Sequence, residues 1–314
     1  MLQYLIILLD DTSVSFCHYD NVKKERRLIG LDDLRAGILF AMKENLNVQF
    51  VYPDYGLPQE YNDLIETIDH TKIMPAGHGS GADVTVVDGI TALSDIKPDA
   101  SRVYVVRTDS AALSEHHDII RAALGSLARL NVVITDVERL TEDGFRKYQA
   151  VLDSLAGELE RLYAAGKSPQ LNILTDRMML TQMNNCGAGD INITLAPDGR
   201  FYVCPAFYLD GDGHATGSPA DGTDIRNPQL YRLDHAPLCR NCDAWQCRRC
   251  IWMNRRTTLE VNTPSREQCV TAHLERNAGA RLLKAIRKHG CFMPRKEEIE
   301  ETDYLDPFDK REEW

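Results

Sequence analysis

The chain has 314 residues, 43% of them hydrophobic and 26% charged, and a formal net charge of −11. That balance excludes wholesale disorder and leaves room for about two domains at ~150 residues each. The acidity argues against nucleic acid as a partner, and no apolar run approaches the ~20 residues that a membrane-spanning helix needs. Met1 to Leu9 meets Asp10 and Asp11 at once, with no basic region or cleavage site. It does not read as a signal peptide, and a cytoplasmic protein is expected.

In chain order, Leu2–Leu9 reads as a strand and Leu31–Asn45 as a helix with Leu34, Ile38, Leu39 and Met42 as its apolar residues. Val48–Tyr52 is a strand, Gln59–Ile68 a short helix, and Lys72–Met74, Val84–Val87 and Val103–Val106 are further strands. Leu113–Leu127 is a helix, Val132–Thr135 a strand, Phe145–Tyr163 a helix, and Leu171–Leu174 the strand that closes the series. Strands alternating with helices over ~170 residues imply an α/β fold with a mainly parallel sheet, as a partial barrel or an open doubly wound sheet. Gly77-His78-Gly79-Ser80-Gly81 is expected to be a loop and not a dinucleotide site, because the next segment reads as a strand where that site requires a helix.

Beyond Asp176 the texture changes. Ile191–Leu195, the turn Pro197-Asp198-Gly199-Arg200 and Phe201–Val203 form a predicted β-hairpin, and Ala272–Lys288 a helix ended by Gly290. From Arg295 to Trp314 there are nine acidic and four basic residues, with Tyr304, Phe308 and Trp314 among them. This segment reads as a solvated acidic tail or as a docking segment anchored by its aromatics.

The cysteines carry the chemistry. Seven of nine lie from Cys186 to Cys269, as Cys186, Cys204, the run Cys239, Cys242, Cys247, Cys250, and Cys269. A Cys-x-x-Cys turn brings two thiolates to one centre, and two such pairs with three outlying cysteines in a cytosolic chain point to metal. Thiolates select zinc or iron–sulfur centres. One zinc leaves three cysteines over, whereas two four-ligand centres need eight, one more than this segment holds. A zinc version could recruit His273, which shares a face with Cys269 if that stretch is helical. An iron–sulfur version could leave one iron open, or take Cys291 or an oxygen ligand. Arg240, Arg248, Arg249, Arg255 and Arg256 crowd the same segment. They suit an anionic cluster or an acidic peptide leader, and Trp245 and Trp252 would shield sulfur from water.

Cys186–x12–Gly199–x4–Cys204, the cysteine quartet and Cys269 resemble the SPASM domain that follows the barrel in many radical-SAM peptide-modifying enzymes. The resemblance implies two auxiliary [4Fe–4S] clusters. Cys186, Cys204 and Cys250 would hold the first, and Cys239, Cys242, Cys247 and Cys269 the second. It further implies a partial (β/α) barrel over 1–180, a small cysteine-rich SPASM-like α+β domain over 181–290, and an acidic tail over 291–314.

The radical-SAM motif CxxxCxxC is missing. At its spacing this chain offers Ser13, Cys17 and Asp20, and a hydroxyl and a carboxylate are poor iron ligands. No S-adenosylmethionine is therefore expected. With Leu8-Leu9-Asp10-Asp11 near its start and Ser15-Phe16-Cys17-His18-Tyr19 in the loop, the whole chain resembles the radical-SAM-like proteins called CXXX repeat peptide maturases. That implies a role in maturing a ribosomally made cysteine-repeat precursor peptide, with a redox partner or accessory modification protein. Cys17, His18 and Tyr19, at the end of the first strand, are the candidates for catalysis. The bland reading of Cys17 is a small buried hydrophobe. With Asp10 and Ser13, these three are expected to line an open barrel mouth. The residues leave open a maturase, a binding protein for the precursor, or an interaction module with structural zinc.

Overall fold

Alternation along each strand sorts side chains onto two faces of one sheet. In β1 (Tyr4–Leu8), Leu5 and Ile7 pack with the residues under helix α1 (Leu31–Glu44), while Ile6 and Leu8 face the opposite way. The second face collects Val51, Ile73, Val86 and Val105 from β2 (Asn47–Val51), β3 (His70–Pro75), β4 (Val84–Asp88) and β5 (Val103–Thr108). These facts come from a computed structural model, which describes residues 2–78, 81–211 and 213–303.

β6 (Arg129–Ile134), β7 (Gln170–Leu171), β8 (Asn192–Leu195) and β9 (Phe201–Tyr202) complete a nine-stranded sheet of order β7-β6-β5-β4-β3-β2-β1-β8-β9. All neighbours are parallel except β8 and β9. The two end strands do not pair with each other, so the sheet is open. Helices α2 (Gln59–Ile65), α3 (Ser110–Ala123) and α4 (Glu142–Ala164) follow the strands, and α1, α3 and α4 cover the outer face. Asp109 caps α3 by accepting from the Ala112 N–H at 2.8 Å. The predicted hairpin is β8–β9, and β8 joins the sheet beside β1. Gly37 lies close to that junction: a Cβ there would press on Leu195 Cδ2.

Several expectations need correction. The buried stripe of α1 is Leu34, Gly37, Ile38 and Ala41, and Leu39 and Met42 are exposed. β7 ends at Leu171, and α5 (Asn172–Met179) replaces the predicted strand. The cause is Asn172, whose side chain accepts from the Val132 N–H at 2.8 Å and donates to the Val132 carbonyl at 2.9 Å. One side chain thus satisfies the edge of β6 in place of further strand pairing. α2 stops at Ile65, and the glycine loop after β3 leads to β4, as expected, with Gly77 and Gly81 at positive φ.

The last helix, α8 (Arg266–Arg287), starts six residues before the predicted one. Ser265 caps it by accepting from the Gln268 N–H, and it packs along α4 and α5. In residues 295–303 the acidic side chains are exposed, Ile299 is buried in the core cluster, and Glu298 and Glu301 pair with Arg287 and Arg281 of α8. Tyr304, Phe308 and Trp314 lie outside the described residues. No described helix is long and apolar enough to cross a membrane.

Candidate metal centre

All nine cysteines are free thiols, and only Cys291 is exposed. Local turns shape the quartet: the Cys242 N–H donates to the Cys239 carbonyl at 3.0 Å, and the Cys247 N–H to the Ala244 carbonyl at 2.9 Å. Cys239, Cys242, Cys247 and Cys269 line one cavity of about 270 Å³, together with His273, Arg249, Gln268 and Thr302. Cys269 comes from the early start of α8, one turn before His273. The helix places His273 Nε2 3.6 Å from Cys242 Sγ. Burial raises the thiol pKa of Cys239 to about 11 and of Cys269 to about 12, and neighbouring thiolate charge adds to both shifts.

Cys186, Cys204 and Cys250 are the remaining three cysteines of the segment. The Cys186 N–H donates to the Arg248 carbonyl at 2.9 Å, which ties the hairpin's approach to the last CxxC. Cys204 is the N-cap of α6 (Pro205–Leu209), and Cys250 that of α7 (Ile251–Thr258). Burial raises the pKa of both, and the charge of Cys186 opposes ionisation of each. N–H groups of the following helical residues act the other way, since they favour the thiolate. Among the described residues, no three His, Cys, Asp or Glu side chains are placed to hold a metal ion as they stand.

The barrel mouth is filled, which corrects the expectation of an open one. Asp10 and Ser13 are fully buried. Asp10 accepts from Thr12 and from the Tyr55 hydroxyl at 2.7 Å, while the Ser13 hydroxyl donates to the Val51 carbonyl at 2.9 Å. Asp11 accepts from the Tyr208 hydroxyl of α6. Phe16, Tyr19 and Trp252 pack edge to face with ring centroids 6.3 Å apart, joining Phe207 and Tyr208 on the inner face of the sheet. The loop's Phe16 and Tyr19 thus turn in onto the sheet. His18 is half-buried, with Nδ1 2.7 Å from the Ile134 carbonyl, and burial lowers its pKa. Tyr19 is buried with its hydroxyl unpartnered, and burial raises its pKa.

Cys17, His18 and Tyr19 are held by one residue that sequence reasoning missed. Arg107 follows Val105 by two positions on β5 and so faces inward. Its Nε donates to the Cys17 carbonyl at 2.9 Å, and Nη2 to the Tyr19 carbonyl at 2.8 Å and Asp20 at 2.6 Å. Nη1 pairs with Asp88 at 2.8 Å.

No family model and no curated protein matches this sequence. Solved structures do match. Native anSMEcpe with bound AdoMet and the Cp18Cys peptide superposes with a TM-score of 0.59 over 91% of this chain and 99% of that one, at 12% identity. The hexahistidine-tagged anSMEcpe with bound AdoMet gives 0.60 over 92% and 96%, also at 12% identity. The chain has the fold of anSMEcpe. It is the α/β fold with a mainly parallel sheet that the alternation of strands and helices implied.

Around the cysteines, other residues carry charge that their sequence positions do not advertise. Asp243 pairs with two buried arginines, Arg276 at 2.6 Å and Arg177 at 3.5 Å. Arg177 also stacks on Trp245, its guanidinium carbon 3.9 Å from the ring centre. Of the five arginines flagged by sequence, Arg249 is buried, donates to Asn185 and the Tyr231 carbonyl, and lines the four-cysteine cavity. Arg256 binds Asp210, and Arg255 lies over Phe207. Four buried polar atoms near the four-cysteine group lack a protein partner: Gln268 Oε1, His273 Nδ1, Gln246 Oε1 and Arg249 Nη1.

Proposed function

We propose that this protein matures a ribosomally synthesised cysteine-repeat (CXXX) peptide by binding the precursor, with auxiliary [4Fe–4S] clusters in its cysteine-rich segment and no cleavage of S-adenosylmethionine. The observation that carries this reading is the cavity lined by Cys239, Cys242, Cys247 and Cys269. Four cysteines on one cavity suit a thiolate-held centre, and with three further cysteines in the segment they exceed what one zinc takes. Buried Arg249, Arg177 and Arg276 supply the positive charge that a cluster with four thiolate ligands calls for. Cys186, Cys204 and Cys250 would hold the other cluster. Such clusters supply one-electron transfer, fed by a redox partner, or an iron that binds a substrate thiolate. The remaining work falls to the chain: the cysteine turns set the ligands, the arginines balance charge, and Trp245 and Trp252 exclude water.

The fold shared with anSMEcpe, structures of which hold a peptide, supports a peptide partner. We take residues 181–290 as the cluster-binding unit. Ser13 and Asp20 are bound to Val51 and Arg107, which supports chemistry without a radical-SAM cluster in the barrel. One observation favours a second reading: the approach of His273 to Cys242 suits a structural zinc site in a non-catalytic peptide-interaction module.

Titrating reconstituted protein with a cysteine-repeat peptide and with its Cys→Ser version tests the proposal. Tighter binding of the thiol form, strengthening as pH rises toward the unperturbed cysteine pKa of ~8.5, is the signature of thiolate recognition. Equal affinity would leave the electron-transfer role, and binding of neither peptide would refute peptide maturation.

A further inference from the structure

Of the three buried arginines beside the cysteines, Arg249 stands apart. Asp243 pairs with both Arg276 and Arg177, whereas Arg249 donates to an amide oxygen and a carbonyl and has no carboxylate partner among the described residues. It is 1% exposed and lines the cavity of Cys239, Cys242, Cys247 and Cys269. A guanidinium taken out of water without a counter-charge is costly, so its burial there calls for an anion within reach. The side chain is fixed on two sides and unengaged on the third. Nε donates to Asn185 Oδ1 at 3.1 Å, and Nη2 donates to the Tyr231 carbonyl. Nη1 is buried and has no partner. With two nitrogens anchored, the planar group cannot swing the third out to water.

The backbone at the same residue is strained. Arg249 has φ 47°, in the left-handed region, inside the Cys247–Cys250 turn, and its N–H donates to Cys247 Sγ at 3.4 Å. Glycine would make that turn without a steric penalty, and asparagine with a smaller one. Neither carries a cation into the cavity. A large charged residue held against its backbone preference points to a role for its side chain. Its neighbour Arg248 is exposed, so basic character alone does not draw an arginine inward here.

We propose that Arg249 is the counter-charge of the centre held by Cys239, Cys242, Cys247 and Cys269, and that it raises the reduction potential of that centre. This rests on the cluster reading above and goes beyond it by giving one residue control over one centre. Neutral thiols offer Arg249 no counter-charge. Metal binding releases their protons to solvent and leaves thiolates around the same cavity. Reduction by one electron adds a further negative charge, which a fixed neighbouring cation stabilises. Arg249 is thus a positioning and charge-balancing residue, distinct from the cysteine ligands themselves.

The test is an EPR-monitored reductive titration of the anaerobically reconstituted full chain, with iron and sulfide analysis, as wild type, Arg249→Met, Arg249→Lys and Asn185→Ala. Cys242→Ser identifies the signal of the four-cysteine centre by its loss. For that signal, Arg249→Met should lower the reduced-to-oxidised ratio at a fixed ambient potential by about tenfold, a shift of ~59 mV for one electron. Arg249→Lys keeps the charge and should recover most of the shift, while the other centre's signal stays in place. Asn185→Ala removes an anchor and no charge, and should titrate as wild type. A wild-type potential in Arg249→Met, or an equal shift in Asn185→Ala, would overturn the proposal and leave Arg249 as a strut. Where Arg249→Met fails to hold this centre's iron, Arg249→Lys decides: retention of the iron there upholds the need for the charge, and its loss there too overturns it. Wild-type protein that takes up zinc and no iron would overturn the cluster reading, and this proposal with it.

Discussion

Replacing Arg107 with Leu removes the clamp on the loop after β1. The side chain is 5% exposed and donates to two backbone carbonyls and two carboxylates. The carboxylates of Asp20 and Asp88 are 80% and 76% exposed, so they regain water, and their pairing contributes little. The cost comes from the carbonyls of Cys17 and Tyr19, each of which loses a buried donor at roughly 1–3 kcal/mol. Leucine offers some apolar packing in return, which leaves a net loss of about 2–4 kcal/mol. Urea denaturation of the apoprotein followed by far-UV circular dichroism measures it. Asp20→Asn is the matched control and should cost under about 0.5 kcal/mol. A loss under about 0.5 kcal/mol for Arg107→Leu, or equal losses for both variants, would refute the claim that the arginine holds the loop through its backbone.

Two further outcomes are expected. Burial raises the Glu275 pKa to about 7, against donation from the Tyr148 hydroxyl at 2.7 Å and from Gln246. The folded chain thus holds a proton that the unfolded chain has lost. The resulting stability is full below the ordinary value of 4.5 and is lost as pH rises through about 7. Glu275→Gln should remove this dependence, which amounts to about 1–3 kcal/mol for a residue that keeps some solvent contact; parallel stability curves for the two proteins from about pH 4.5 to 8 would contradict it. Incubation with S-adenosylmethionine under strong reduction should yield no 5′-deoxyadenosine above a cluster-free control, because Ser13 and Asp20 are already bonded within the barrel. Product in proportion to enzyme would show that the loop assembles a centre after all.

Periodicity revealed the barrel strands and the long helices because each of these buries a face through its own residues. α5 was hidden for the opposite reason: Asn172 completes the edge of β6 with a side chain, and no apolar pattern records that. The cysteine-rich site was legible in its CxxC turns, which are local. The expectation of two centres came from a family resemblance, since spacing alone left one ligand short. Cys17 reads as a solitary thiol because the other cysteines lie far along the chain, from Cys186 onward. Arg107, Arg177 and Arg276 went unnoticed for the same reason. A single arginine becomes a buried clamp only when strand alternation or helix packing turns it inward.

The most direct test of the central claim is metal and sulfide analysis of the full chain purified anaerobically after expression with iron and sulfur supplied. Two cubane clusters require about eight iron and eight sulfide per chain, with a brown colour and broad visible absorbance. Stoichiometric zinc with no sulfide and no visible absorbance would contradict the account.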